Sequence, residues 1–303
     1  MVMDIPSHTV PLQEISIPGD VCLFMKREDL IDPEISGNKY WKLYYNVNEY
    51  LKKQVSEPKI ITFGGAYSNH IAATAAVGLM YHIPTVGIIR GEELEHHWQE
   101  NLTLKKAAEK GMDLRFVTRE MYRQKDKLSA QLQEDFPQAL IVPEGGTDAQ
   151  AVEGIRFMLD SRTAEFDYLC CAVGTGGTLA GIAQFSRQQQ KVIGFPVVKD
   201  HSLKNRIHHL SQGAEFELAD AAFGGYGTIS NELVRFINDF YRQNHIPLDP
   251  VYTGKMMMKL LYMINEGYFK PGTKILAFHT GGLQGIAGTN EYLKSKKREL
   301  INF

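Results

Sequence analysis

Three cysteines occur among 303 residues, Cys22, Cys170 and Cys171. An odd count without framework spacing excludes a disulfide scaffold and points to a reducing compartment. Cys170 and Cys171 are adjacent in an apolar run, so both are expected as buried thiols. Long hydrophobic runs are also lacking. The longest, near Ile71–Met80, is too short to span a bilayer. Neither charge sign dominates: 33 basic and 35 acidic residues leave a formal charge of −2, which gives no broad field for nucleic acid or an anionic membrane. The opening stretch MVMDIPSHTVPLQEI lacks the charged-then-apolar order of a secretory leader, and a cytoplasmic protein is expected. Heptads, solenoid repeats and low-complexity tracts are missing. His96, His97, His208 and His209 show no metal-ligand spacing, so no metal is expected.

What the chain does have is alternation. Strand-like runs at Val21–Met25, Lys59–Phe63, Thr85–Ile89, Asp113–Val117, Ala139–Val142, Tyr168–Val173, Val192–Val198 and Lys274–Phe278 are separated by stretches with helical spacing. The helical examples are Asn38–Lys53, Asn69–His82, Glu100–Lys110, Ala149–Leu159 and Glu232–Arg242. Strands spaced by helices predict βαβ units and mostly parallel sheets. Several strands are apolar throughout, as expected when helices cover both faces.

Four strands end in glycine-rich turns: residues 63–70, 143–147, 173–178 and 278–282. In open α/β sheets ligands bind beyond the carboxyl ends of strands, so these turns are expected to converge on one cleft. The turn Gly174-Thr175-Gly176-Gly177-Thr178 lies between a strand and a helix beginning near Leu179. Glycines admit backbone N–H groups to an anion, and the helix N-terminus adds partial positive charge, which suits a phosphate. A Walker loop is excluded because no Gly-Lys-Ser/Thr follows. Ser36-Gly-Asn-Lys39 opens a helical stretch. A lysine there opposes the helix dipole. A Schiff-base lysine would account for it, since imine formation needs the neutral amine and the same helix end lowers its pKa.

Lys26-Arg-Glu-Asp29, Ser36-Gly-Asn-Lys39, Gly64-Gly-Ala-Tyr-Ser-Asn-His70, Gly174–Thr178, Asp249-Pro-Val-Tyr-Thr-Gly-Lys255 and His279-Thr-Gly-Gly282 occur in this order. Together they resemble the 1-aminocyclopropane-1-carboxylate (ACC) deaminase and D-cysteine desulfhydrase family from about residue 20 to 290. The resemblance implies an α/β protein with the tryptophan-synthase-β-like fold, fold type II of the pyridoxal 5′-phosphate (PLP) enzymes. It implies two open twisted parallel-sheet domains, a large one of residues 1–46 and 156–303 and a small one of 47–155 inserted in it. It further implies a homodimer acting on a small amino acid, with no nucleic-acid or membrane partner.

The resemblance also implies roles. Lys39 is the lysine that bonds to PLP, Asn69 the partner of the ring hydroxyl, and Gly174, Thr175, Gly176, Gly177 and Thr178 the phosphate cradle. Ser68, with Tyr67, Asn69 and His70 around it, forms the substrate carboxylate site. Tyr226 and Tyr252 match two active-site tyrosines. Thr253 and Thr280 stand at cofactor-contacting positions where ACC deaminases carry glutamate and leucine. A glutamate there keeps the pyridine nitrogen protonated, and a neutral hydroxyl supports that proton less well. Both threonines and His70 follow the desulfhydrase pattern. The chain departs from the family at Tyr67, usually glutamine, at Ala72 and Ala73, usually Arg-Gln, and at Trp41, usually arginine. D-cysteine desulfhydrase-like β-elimination is therefore expected, with ACC deamination to α-ketobutyrate as the alternative. A nucleotide-binding oxidoreductase, suggested by the Gly174 loop alone, leaves Lys39, Ser68, Asn69 and Tyr252 unexplained. The departures keep open a PLP carrier without turnover.

Overall fold

The computed structural model describes residues 3–6 and 8–303. Among the described residues, ten strands form two sheets. One has six strands: β1 (Leu12–Ile15), β2 (Cys22–Lys26), β7 (Tyr168–Val173), β8 (Lys191–Pro196), β9 (Glu217–Leu218) and β10 (Lys274–Phe278), in the order β1-β2-β10-β7-β8-β9. The other has four: β3 (Ile60–Gly64), β4 (Thr85–Arg90), β5 (Asp113–Val117) and β6 (Leu140–Val142), in the order β5-β4-β3-β6. Every pairing is parallel except the edge pair β1–β2. Helices follow strands throughout: α1 (Asn38–Leu51), α2 (Asn69–Tyr81), α3 (Leu102–Glu109), α4 (Arg119–Arg123), α5 (Lys125–Asp135), α6 (Ala149–Ile155), α7 (Gly177–Phe185), α8 (Leu203–Leu210), α9 (Asn231–Asn244), α10 (Thr253–Asn265) and α11 (Ile286–Ser295).

The eight expected strands are present, each within two residues of its expected ends. Two more were not anticipated. β1 lies between Pro11 and Pro18, which masked its alternation, and β9 is only two residues long. The expected helix at Ala149–Leu159 stops at Ile155 and tightens into one 3-10 turn over Arg156–Met158. α5 carried little signal because Leu132 is its one fully buried side chain.

Strand β7 shows why continuous apolar strands belong here. Leu169, Cys171 and Val173 pack into the layer formed with α1, α6 and α7. Cys170 and Ala172 point the other way, into the layer formed with α9 and α10. Both faces are covered, so alternation disappears. Cys170 and Cys171 are buried free thiols, as expected.

Helices α1, α6 and α7 approach closely because glycine sits at their contacts. A Cβ on Gly154 would lie 2.1 Å from the Trp41 carbonyl oxygen, and one on Gly181 would lie 2.4 Å from Ile155 Cβ. Trp41 explains one departure from the family pattern. Its indole N–H donates to Glu28 Oε2 at 2.9 Å and its ring stacks on Phe157, while Lys26 approaches the other oxygen of Glu28 at 3.2 Å. Lys26 and Trp41 together serve a carboxylate that would otherwise be buried without partners.

Gly154→Ala is expected to lower stability by about 1–3 kcal/mol, because overpacking against a backbone oxygen outweighs the gain in helix propensity. Chemical denaturation of the variant and the parent, compared at equal denaturant slope, checks this.

Candidate active site

The site is built where strand ends of both sheets meet the start of α1. Gly37 adopts φ 70° and ψ −149°, and a Cβ there would lie 2.1 Å from the Thr280 carbonyl oxygen. Only glycine permits this approach, which sets the first turn of α1 against the turn following β10. Lys39 is the second residue of α1, and its amine donates to Asn38 Oδ1 at 3.0 Å. The Asn38 amide donates in turn to Thr178 Oγ1 at 2.6 Å. The lysine is thereby tied to the turn after β7. Burial pulls the Lys39 amine down to about 8 from its usual 10.5, although Asp249 opposes the shift.

The turn between β7 and α7 has the geometry of an anion cradle. The first N–H groups of α7 have no intrahelical acceptor. A Cβ on Gly177 would lie 3.1 Å from Lys42 Nζ, and Gly174 leaves room for the Tyr252 ring, whose Cε1 would sit 3.0 Å from a Cβ there. Lys42 is one turn beyond Lys39 and is buried. Its ammonium donates to the Gly145 carbonyl at 3.0 Å and to Thr147 Oγ1 at 3.2 Å. Among the described residues no carboxylate lies within salt-bridge distance of it. Burial, reinforced by the charge on Lys39, pushes its amine well below the ordinary lysine value. The Thr147 and Thr175 hydroxyls, 2.5 Å apart, link the turn after β6 to the turn after β7. A buried lysine amine lacking an anion, beside free helix N–H groups and two hydroxyls, fits a phosphate group, whose charge would restore the ammonium. Lys42 was missed from sequence. Its signal was its spacing of three from Lys39, which places both amines on one helix face.

The third wall is the start of α2. Ser68 caps the helix, accepting from the Ile71 N–H at 3.3 Å. Asn69 Oδ1 accepts from the Gln284 amide, and a Cβ on Gly282 would lie 3.0 Å from Asn69 Nδ2. Tyr67, expected around the carboxylate site, turns outward. It is 63% exposed and its ring lies over Gly288 in α11, where a Cβ would meet it at 3.1 Å. His70, expected beside the substrate carboxylate, packs on the turn after β6. Its ring is buried against Gly146, 2.9 Å from where a Cβ would stand, on the anion-cradle side of the site. Neither ring nitrogen has a protein partner, and burial together with Lys39 and Lys42 keeps the imidazole neutral.

The fourth wall is the start of α10. Asp249 is buried, and its two oxygens accept four bonds: from the N–H groups of Val251, Tyr252 and Thr253 and from Thr253 Oγ1, at 2.6–2.9 Å. Thr253 Oγ1 also accepts from the Asp249 N–H at 2.9 Å. The Tyr252 hydroxyl lies 3.2 Å from that of Tyr226, with the rings edge to face. Burial, then Tyr226, then Asp249 raise Tyr252 well above the usual tyrosine value. Thr280 lies in the turn that contacts Gly37, and that turn is held by His279, whose Nδ1 accepts from the Gly281 N–H at 3.2 Å.

A single gathered site thus presents a depressed lysine amine, an anion cradle and a capped helix start, which is the equipment of an enzyme that carries PLP. The chain belongs to the pyridoxal-phosphate dependent enzyme family, whose model matches residues 5–281. It is 28% identical, over 93% of its length and 80% of the relative's, to the mitochondrial bifunctional D-cysteine desulfhydrase/1-aminocyclopropane-1-carboxylate deaminase of Arabidopsis thaliana. It is 27% identical, over 89% and 90%, to the D-cysteine desulfhydrase of Klebsiella pneumoniae. The crystal structure of an ACC deaminase homologue superposes with a TM-score of 0.82, covering 97% of this chain and 95% of that one at 24% identity. The expected fold class, family and cofactor are therefore correct.

Two outcomes test the site. Lys42→Met is expected to weaken PLP binding by about tenfold or more, since it removes the buried amine from the anion cradle. Fluorescence titration of the folded, PLP-stripped variant measures this. The rate at which added PLP bonds to the stripped enzyme is expected to rise with pH through about 8, where Lys39 loses its proton, and then level off. A rate still climbing towards pH 10 contradicts that assignment. Borohydride reduction with peptide mapping locates the label on Lys39.

Proposed function

We propose that the protein deaminates a small amino acid by β-elimination, with D-cysteine or a close analogue as substrate and an α-keto acid, ammonia and hydrogen sulfide as products. The observation that carries the proposal is the bonding of Thr253. Its hydroxyl proton is committed to Asp249, and Asp249 itself is saturated by four donors. At this position the resemblance places the partner of the pyridine nitrogen. A hydroxyl would meet the ring there, and no free carboxylate is available to hold its proton. That environment suits departure of a good β-leaving group better than opening of a cyclopropane.

PLP, when bound, would supply an electron sink for the substrate's Cα once the substrate amine has displaced Lys39 and left that amine free. The remaining work belongs to side chains. The Lys39 amine, half neutral at about pH 8, takes the Cα proton. The Ser68 hydroxyl and the N-terminus of α2, with Asn69, orient the substrate carboxylate. Lys42, Thr175, Thr178 and the glycines of the turn at 174–177 hold the phosphate. Tyr252 stays protonated and faces Tyr226, which is 55% exposed, so the pair forms a proton path from solvent to the departing thiolate. His70 supports the cradle from beneath instead of touching substrate.

The division into a large unit of residues 1–46 and 156–303 and a small unit of 47–155 is part of this proposal. The two separate sheets support it, and α1 runs through residue 46 as an element shared by both. A cytoplasmic homodimer is proposed as well. Among the described residues no helix is long and apolar enough to cross a membrane, and the buried cysteines suit a reducing compartment. Analytical ultracentrifugation tests the dimer.

The chemistry is tested by specificity constants for D-cysteine and ACC on one preparation. D-cysteine is expected to be the better substrate. A higher constant for ACC sinks the Thr253 argument and turns the assignment to the deaminase, with α-ketobutyrate as product.

A further inference from the structure

Lys255 lies in the first turn of α10, three residues beyond Tyr252, and none of its surface is exposed. Its ammonium donates to the Ala222 carbonyl at 2.9 Å and the Gly225 carbonyl at 2.7 Å. Among the described residues no carboxylate lies within salt-bridge distance of it. A cation buried near a helix N-terminus, with carbonyls as its only hydrogen-bond acceptors, is costly. The segment it holds gives a reason for keeping it there.

Residues 222–228 form a glycine-rich loop with little support of its own. Phe223, Gly224, Gly225 and Gly227 all have positive φ, from 43° to 122°. Its internal backbone bonds are Gly225 N–H to Ala222 O at 2.9 Å and Thr228 N–H to Gly225 O at 3.3 Å. A chain this rich in glycine loses much entropy on ordering, and charge-assisted bonds from an ammonium offset that loss. The loop carries Tyr226 at its tip, immediately after Gly225. Tyr252, the residue Tyr226 touches, stands at the start of the helix that carries Lys255.

We propose that Lys255 is a positioning residue. It pins the carbonyls of Ala222 and Gly225 so that the Tyr226 hydroxyl is held against Tyr252. One helix start thereby sets both tyrosines, one through its backbone and the other through a lysine. The inference rests on the reading in which this pair moves a proton, and its test separates the two.

The test uses Lys255→Met, Tyr226→Phe and the double variant as holoenzymes, with Lys255→Gln as a milder change that keeps N–H donors. Amide hydrogen exchange of residues 222–228 is read first. Lys255→Met is expected to speed it about tenfold or more while β7, β10 and α9 keep their protection, with Lys255→Gln in between. Steady-state kinetics with D-cysteine come second. Lys255→Met is expected to lower kcat about tenfold with KM little changed, and to have less than about a twofold effect when Tyr226 is already phenylalanine. Unchanged exchange at 222–228 in the folded Met or Gln variant overturns the proposal. So does a kcat loss of the same size in the Tyr226→Phe background. If Tyr226→Phe alone leaves kcat intact, the proton role of Tyr226 falls, and the exchange result alone decides whether Lys255 sets the loop.

Discussion

Two amines one helical turn apart lie on α1, Lys42 buried and Lys39 half-buried, and among the described residues no carboxylate lies within salt-bridge distance of either. Burial first, and then the charge on Lys39, lowers the tendency of Lys42 to hold its own, because like charges repel in a low-dielectric interior. The site accommodates them by lowering both amines, Lys39 to about 8 and Lys42 well below the ordinary lysine value, and by giving Lys42 a carbonyl and a hydroxyl as acceptors. The arrangement lacks an anion, and a phosphate supplies one. The same imbalance that makes the protein a good host for PLP keeps the Lys39 amine available for covalent bonding.

The surrounding structure maintains that imbalance through close backbone contacts. Gly37 against Thr280 places the lysine, and Gly146 against His70 places the turn that receives Lys42. Side-chain bonds then span the two sheets, from Thr147 to Thr175 on one side and from Asn69 to Gln284 on the other. Tyr67 over Gly288 adds an apolar contact at the cleft mouth. Behind these contacts one apolar cluster takes in Ile60, Val77 and Val142 as well as Leu169, Cys171 and Leu276, so the two sheets share a core.

Asp249 shows how a charge close to a reactive centre can be taken out of its chemistry. A buried carboxylate beside the start of α10 would be a strong base towards a ring nitrogen if it were free. Three backbone N–H groups and a threonine hydroxyl consume it in capping the helix. On the proposed reading the oxygen of Thr253 is what remains for the cofactor, and the choice between leaving-group departure and ring opening turns on that substitution of hydroxyl for carboxylate.

Strand order along the chain, the glycine turns and the candidate lysine were all legible because each depends on local pattern. Apolar runs of strand length mark doubly covered strands, glycine between strand and helix marks an N–H cradle, and a lysine at a helix start conflicts with the dipole. Locality also limits what such patterns carry. Insertion of β10 between β2 and β7 joins segments more than 240 residues apart in one case and about 100 in the other, and no short window contains that pairing. The direction a side chain takes was likewise a tertiary matter. His70 turned beneath Gly146, Tyr67 turned outward over Gly288, and Lys42 and Lys255 found carbonyls instead of carboxylates. By itself the sequence determined which groups the site would contain, because short-range sterics and hydrogen bonding dictate where turns, caps and helix starts fall. Only the tertiary structure decided which of those groups come together in one cleft and which pack behind it, because that depends on how distant helices and loops share the space between two sheets.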